Sequence, residues 1–185
     1  KALVQKERRQ PWGLADLALD LSAYERLKTF PLEIMGVVNL NDDSFFSASR
    51  TRPQDAVQRA LRLIDEGADI LDFGGVSSRP GSEYCGREEE FRRIKDIVEE
   101  IYKLDLHEKA KFSLDSFDPY CLEFALNHGF KMINDITGDV SLCALAARYG
   151  ATYCLMHMQN SPENMQDNPQ YGDVAGEVAR YLSDR

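Results

Sequence analysis

Short polar side chains end several apolar runs of this chain. Asn39, Asp115 and Asn134 each stand at the end of such a run, and Asp135 follows directly. A buried Asp or Asn needs a hydrogen-bonding partner, and a flat polar ligand is a natural partner for several of them. Asp and Asn are also common helix caps, so for Asp115 the competing interpretation is a cap for a helix near Pro119.

Polar loops follow the same runs. The first contains Asn-Asp-Asp-Ser-Phe at 41–45, and the second reads Gly-Gly-Val-Ser-Ser-Arg-Pro-Gly at 74–81. The fifth run ends in Met156-His157-Met158. These loops place hydroxyl, carboxylate, guanidinium and thioether groups next to one another, although the same residue types also form ordinary turns.

The elements that must position these groups alternate regularly. The predicted strands are 33–39, 69–73, 111–115, 131–134 and 151–156. The predicted helices are 53–66, 88–104, 119–128, 140–149 and 171–182. Three of these helices run into a glycine that is followed by a strand about two residues later, namely Gly67, Gly129 and Gly150. Such alternation indicates a parallel α/β sheet built of five β/α units.

Two architectures share this alternation of strands and helices: an open doubly wound sheet and part of a (β/α)8 barrel. Ligands meet the carboxyl ends of the strands in both. A complete barrel takes about 250 residues, whereas this chain has 185. Residues 1–19 are predicted to be an N-terminal extension or a segment that plugs the barrel, and residues 20–185 to form the domain.

Charge and composition exclude several classes of protein. The formal net charge is −9, which argues against a nucleic-acid partner because phosphate backbones are bound by Lys and Arg. No apolar run reaches the roughly 20 residues of a membrane span. The four cysteines include no C-x-x-C pair, which is typical of reduced thiols rather than of disulfides or a zinc site.

Five spaced blocks resemble the signatures of dihydropteroate synthases, which are pterin-binding barrels of folate synthesis. They are Met-Gly-Val-Val-Asn-Leu-Asn-Asp-Asp-Ser-Phe at 35–45, Gly-Ala-Asp-Ile-Leu-Asp-Phe-Gly-Gly-Val-Ser-Ser-Arg-Pro-Gly at 67–81, Phe-Ser-Leu-Asp-Ser at 112–116, Ile-Asn-Asp-Ile-Thr-Gly at 133–138, and Leu-Met-His-Met at 155–158. The match is collinear from about residue 19 to residue 182. It implies a TIM (β/α)8 barrel, of which this chain holds about five of eight units.

The resemblance also implies a reaction and its site residues. In the family, p-aminobenzoate displaces pyrophosphate from 6-hydroxymethyl-7,8-dihydropterin pyrophosphate. Asn39 would be a ligand of Mg²⁺, which also takes pyrophosphate oxygens. Asp115 and Asn134, together with Asp135, would bind the pterin edge, and Met156 would pack on its face. A strand-end cap remains the alternative role for Asn39, and core filling the alternative for Met156.

The two loops carry the remaining implied roles. Asp43, Ser78 and Arg79 would act in catalysis, and Phe45 and Pro80 would shape the aminobenzoate pocket. A solvated surface position remains the alternative for Arg79. His157 resembles a family histidine that is structural, so no general-base role is assigned to it.

The chain departs from the family pattern in several places. Asn41-Asp42 replaces the usual Thr-Pro, Val76 replaces a Glu, and Ser78 replaces a Thr. The blocks of the last three strands have no counterpart here. We therefore expect the missing strands to come from the rest of the protein or from a partner chain, and the inner faces of Val38, Leu114 and Ile133 to be exposed. A homodimer and a cytoplasmic location are expected for the full-length protein.

Three alternatives remain open at this point. The first is methyl transfer from methyltetrahydrofolate to a corrinoid, which needs a pterin site but no pyrophosphate site. The second is a pterin-binding paralogue or subunit without catalysis. The third is an unrelated open-sheet enzyme, although neither common Gly-rich phosphate motif is present after the first strand.

Overall fold

The computed structural model describes residues 33–40, 53–76, 84–161 and 164–185 of the chain. Strands and helices alternate through them as β1 (Met35–Asn39), α1 (Pro53–Asp65), β2 (Ile70–Gly74), α2 (Arg87–Lys103), β3 (Lys111–Asp115), α3 (Pro119–Asn127), β4 (Met132–Asp135), α4 (Ser141–Tyr149), β5 (Thr152–Leu155) and α5 (Val174–Ser183). A short 3₁₀ turn, Leu106–Glu108, precedes β3. The predicted elements are all present, with ends that differ by at most three residues.

The five strands form one parallel sheet in the order β1-β2-β3-β4-β5. Each strand thus lies beside the next one in the chain. A doubly wound sheet reverses its strand order at a switch point, and no reversal occurs among these five strands. The sheet is therefore part of a barrel wall, and the prediction of a TIM-barrel fold with five units is confirmed.

Glycines end three of the helices as the sequence predicted. Gly67, Gly129 and Gly150 have φ values of 99°, 84° and 61°, in the left-handed region that glycine adopts without steric cost. This conformation turns the chain out of the helix and back toward the sheet. The strand that follows each of them begins within three residues.

One face of the sheet is covered by helices and forms the hydrophobic core. We call it the outer face; its buried strand residues are Val38, Leu71, Phe73, Phe112, Leu114 and Ile133. The rings of Phe73 and Phe112 stack at 5.6 Å between centroids, and both meet Phe130 edge-on. The expectation that Val38, Leu114 and Ile133 are exposed was wrong, because α-helices pack on that face and bury all three.

The opposite face, which we call the inner face, carries the alternate strand residues. Met35 and Val37 of β1 belong to it and are 36% and 54% exposed. β1 and β5 have one strand neighbour each within the described part of the chain, so the sheet can be extended on both sides.

Three further expectations concern the chain as a whole. All four cysteines fall within the described residues and carry free thiols. Among the described helices, none is long and apolar enough to cross a membrane. Residues 1–32 lie outside the described residues, so the predicted boundary after residue 19 stays a prediction.

Candidate functional site

Polar residues meet in one row at the carboxyl edge of the sheet. The strand register pairs Asn39 with Gly74, Gly74 with Asp115, and Asp115 with Asn134. Residues that are paired in neighbouring parallel strands point to the same face. The row Asn39–Gly74–Asp115–Asn134 therefore lies on the inner face, and the structure brings together the three polar residues that the sequence placed at strand ends.

Gly74 keeps the row open between two polar side chains. A Cβ atom at this position would lie 3.5 Å from Asp115 Oδ2 and 3.7 Å from Asn39 Oδ1. The amide oxygen of Asn39 and the carboxylate of Asp115 thus flank a residue without a side chain. This arrangement leaves room for a ligand that contacts both.

A second polar layer lies two residues before the row, toward the amino ends of the strands, and the sequence analysis missed it. Asp72 of β2 and Ser113 of β3 are paired in the register, and both are buried on the inner face. Asn134 Nδ2 donates to Asp72 Oδ2 at 2.9 Å. Asp72 lies two residues before Gly74, so the two-residue period of a strand could have assigned it to the site.

Burial determines the electrostatics of this second layer. Desolvation raises the pKa of Asp72 above the usual aspartate range, and the polar side chains of Ser113 and Asn134 act in the opposite direction. Asp72 Oδ1 and Ser113 Oγ have no well-formed hydrogen bond to any described residue. The carboxylate therefore has hydrogen-bonding capacity that the described part of the chain does not use.

Asp135 is separated from the row, which corrects its predicted role. It follows Asn134 directly and so points to the outer face, where it is completely buried. Its carboxylate accepts hydrogen bonds from Thr137 N and Oγ1 (both 2.7 Å), Asp139 N (2.9 Å) and Tyr153 Oη (2.6 Å). With these four bonds Asp135 fixes the loop between β4 and α4. It is not placed to meet a ligand together with Asp115.

Asp118, and not Asp115, caps helix α3. The Asp118 carboxylate accepts from Tyr120 N at 2.9 Å and from Cys121 N at 3.2 Å. Arg87 Nε lies 2.9 Å from Asp118 Oδ2, and this pairing raises the pKa of Arg87. The capping interpretation of Asp115 is therefore wrong, and its side chain belongs to the inner face.

Met156 and His157 follow β5, close to the carboxyl edge. Both are partly exposed. The His157 ring meets Tyr181 edge-on at 4.6 Å and lies 5.9 Å from Tyr171. These ring contacts accord with the structural role expected of His157, whereas the role of Met156 stays a prediction.

Helix α2 holds both ends of the loop that follows β2. Arg93 Nη1 donates to the carbonyl oxygen of Gly75 at 2.9 Å, and Tyr84 Oη donates to Glu90 Oε2 at 2.8 Å. Glu90 is completely buried, and desolvation raises its pKa. The loop residues themselves, which include the predicted Ser78, Arg79 and Pro80, lie outside the described residues.

Three further points concern residues around the row. Asp43 and Phe45 also lie outside the described residues. Val76, which stands where a Glu was expected, is buried at 8% exposure, so an apolar residue suits this position. No cluster of three or more His, Cys, Asp or Glu side chains suited to a metal occurs in the described ranges. Of the residues in the row, Asn39 offers an amide oxygen, a type of ligand that Mg²⁺ accepts.

Comparison with known proteins identifies the family that shares these features. Residues 35–185 match the family described as pterin binding enzyme. The dihydropteroate synthase of Neisseria meningitidis serogroup C is 43% identical over 159 residues, which are 83% of this chain and 55% of that protein. The chain spans about half the length of the curated relatives it matches.

Solved structures agree with the sequence relatives. The dihydropteroate synthase of Thermus thermophilus in complex with 4-aminobenzoate has a TM-score of 0.67 at 35% identity, over 83% of this chain and 54% of that chain. The dihydropteroate synthase of Anaplasma phagocytophilum with bound 6-hydroxymethylpterin-monophosphate has a TM-score of 0.69 at 28% identity, over 84% of this chain and 59% of that chain.

Proposed function

The chain belongs to the pterin binding enzyme family, and from that premise we propose that it forms the pterin-binding part of a dihydropteroate synthase. In this reaction the amine nitrogen of p-aminobenzoate forms a bond to the exocyclic methylene carbon of 6-hydroxymethyl-7,8-dihydropterin pyrophosphate. The carbon–oxygen bond breaks, pyrophosphate leaves with the electron pair, and the amine loses a proton. The observation that carries this proposal is the Asp115–Asn134 pair, side by side on the inner face.

The pair suits one edge of a pterin ring. That edge offers N–H donors beside a carbonyl group, and both an ionised carboxylate and the oxygen of an amide accept hydrogen bonds from such donors. Asp115 and Asn134 would bind and orient the ring, with its substituted end toward the carboxyl edge of the sheet. The Anaplasma relative with a bound pterin monophosphate supports this ligand class.

The pyrophosphate group needs local cations because the chain is acidic overall. With a net charge of −9, a polyanionic ligand is repelled unless positive charge lies beside it. Asn39 supplies a hard oxygen of the kind that Mg²⁺ prefers, and Mg²⁺ is commonly held in part by substrate phosphates. When bound, the ion neutralises charge on the leaving group, and Asn39 is the residue of the row that would hold it.

The other predicted residues complete the proposal. Asp43 and Phe45 would close over the pyrophosphate and the aminobenzoate, and Ser78, Arg79 and Pro80 would cover the site from the second loop. α2 contacts the described residues on both sides of that second loop, Gly75 and Tyr84. The Thermus relative in complex with 4-aminobenzoate supports the second substrate.

Three further β/α units would close the barrel beside β1 and β5. We call this chain together with those units the assembled barrel, whether one protein or two supply them. The exposed Val37 and the open sides of β1 and β5 are the observations that favour such a completion. We also propose that the assembled barrel is a cytoplasmic homodimer.

The test measures binding and turnover on the assembled barrel. Calorimetry with dihydropterin pyrophosphate should show binding that Mg²⁺ strengthens, and addition of p-aminobenzoate should release pyrophosphate. Asp115→Asn should weaken pterin binding by about 1–3 kcal/mol, because the amide mismatches one ligand donor. The matched control is Asp96→Asn, an exposed carboxyl of α2, which should leave binding unchanged.

The possible results separate the proposal from its alternatives. Unchanged affinity in Asp115→Asn would remove this residue from the site. Binding without pyrophosphate release would favour a non-catalytic pterin-binding protein, and pterin binding that is indifferent to Mg²⁺ and pyrophosphate would favour methyl transfer. Release of pyrophosphate by residues 1–185 alone would show that the further strands are dispensable.

A further inference from the structure

Asp72 lies in the layer before the row, toward the amino ends of the strands, and contacts one member of the row. It is 4% exposed and sits on β2, while Asn134 lies on β4, two strands away. The Asn134 carboxamide reaches over β3 and donates from Nδ2 to Asp72 Oδ2 at 2.9 Å. This hydrogen bond is the link between the second polar layer and the row.

The bond fixes which end of the carboxamide a ligand meets. An asparagine side chain carries a donor and an acceptor on the same planar group, and rotation by 180° exchanges them. A carboxylate only accepts, so Asp72 holds the NH₂ end of Asn134. The acceptor Oδ1 is then turned away from Asp72 and is available on the inner face.

A purely structural role explains Asp72 poorly. The other carboxylate buried in this part of the sheet, Asp135, accepts four hydrogen bonds. Asp72 accepts one well-formed hydrogen bond, from Asn134, beside a weaker contact with Ser113, and its Oδ1 has no well-formed partner in the part of the chain that the structure describes. Burying a carboxylate with so few partners costs stability, and a hydrophobic residue would fill this place at lower cost.

We propose that Asp72 is a positioning residue that holds Asn134 with its acceptor toward the ligand. Asp115 and Asn134 then present two acceptors side by side, and the site selects a ring edge with two neighbouring N–H donors. This inference rests on the proposed function and adds its specificity: the exocyclic amine and the adjacent ring N–H of a pterin match, whereas an oxo group in place of the amine does not.

The experiment compares two probes that differ at this one group. They are 6-hydroxymethylpterin and 6-hydroxymethyllumazine, in which a carbonyl replaces the 2-amino group. Calorimetry on the assembled barrel should show that the unsubstituted protein prefers the amino probe by about tenfold or more. In Asp72→Asn this preference should fall toward unity, because an amide at position 72 also donates and so lets Asn134 rotate.

The ratio of the two affinities separates positioning from stability. A merely structural role of Asp72 would weaken both probes equally and leave the ratio unchanged, which would overturn the inference while the proposed function stands. Ser113→Ala is the matched control, because it removes the other buried polar atom of the layer and leaves the Asp72–Asn134 bond in place. It should keep the preference for the amino probe.

A second variant and a measurement without ligand cover the case in which Asp72→Asn does not fold. If Asp72→Asn does not fold, Asp72→Ser replaces it, since a hydroxyl also both donates and accepts. In the folded protein without ligand, NMR should show slow exchange of the Asn134 side-chain amide protons, and exchange as fast as in exposed asparagines would contradict the inference. If neither probe binds the unsubstituted protein, the proposed function itself fails.

Discussion

The two faces of the same five strands differ in what they contact. On the outer face, Phe73, Phe112 and Ile133 are completely buried under helices. On the inner face, the carboxyl edge holds Asn39, Asp115 and Asn134 around a glycine, and β1 exposes apolar residues nearer its amino end. The outer face is packed against helices, and the inner face carries the candidate ligand site.

The neighbours Asn134 and Asp135 show this division at the scale of one residue. Both are short, polar and placed at the end of β4, yet they point to opposite faces. Asp135 is completely buried, and its carboxylate is filled by four donors. Asn134 is partly exposed and donates a side-chain bond to Asp72. Residue type alone therefore did not distinguish a candidate site residue from a structural one.

The largest expected effect is a loss of stability when a core residue of the outer face is truncated. Phe73→Ala should lower the free energy of unfolding of the chain by about 3–5 kcal/mol, since it removes a ring that packs against Phe112 and Phe130. Val37→Ala on the inner face should cost less than about 1 kcal/mol in the chain alone, because this side chain is half exposed. Urea denaturation measures both, and a comparable loss in the two variants would contradict the assignment of the faces.

An intermediate effect is expected at the adjacent residues Asn134 and Asp135. Asp135→Ala should destabilise the fold by about 2–4 kcal/mol, because it leaves buried donors without an acceptor. Asn134→Ala should cost less stability than Asp135→Ala, because it removes one hydrogen bond to Asp72 instead of the acceptor of four donors, and it should weaken pterin binding by about 1–3 kcal/mol. Thermal denaturation and calorimetry on the assembled barrel separate the two. Equal losses of stability and of pterin affinity in the two variants would contradict the different roles given to Asn134 and Asp135.

The smallest effect is expected at two adjacent glycines. Gly75→Ala would place a Cβ 2.7 Å from Ile94 Cγ2 in the core, so it should cost about 1–3 kcal/mol of stability through overpacking. Gly74→Ala meets its nearest neighbours at 3.5 Å or more and should fold normally, but its methyl group narrows the gap between Asn39 and Asp115 and should weaken ligand binding. Normal ligand binding in Gly74→Ala would show that the ligand does not occupy the gap between Asn39 and Asp115.

Local features of the fold were predictable from the sequence because their causes are local. Amphipathic spacing indicated the helices, and a glycine in the left-handed conformation ended three of them as expected. The strand-end positions of Asn39, Asp115 and Asn134 were also found, since parallel strands bring their carboxyl ends to one edge. The family signatures added a ligand class to that geometry.

The sequence by itself thus determined the elements, their order and the family to which the chain belongs. Tertiary structure decided which side of each strand the helices cover. It placed Val38, Leu114 and Ile133 in the core, turned Asp135 away from the row, and brought Asp72 beneath Asn134. The reason is that the two-residue period of a strand separates its two faces but does not say which of them the helices cover, so only the packing of the helices determines which face is left open.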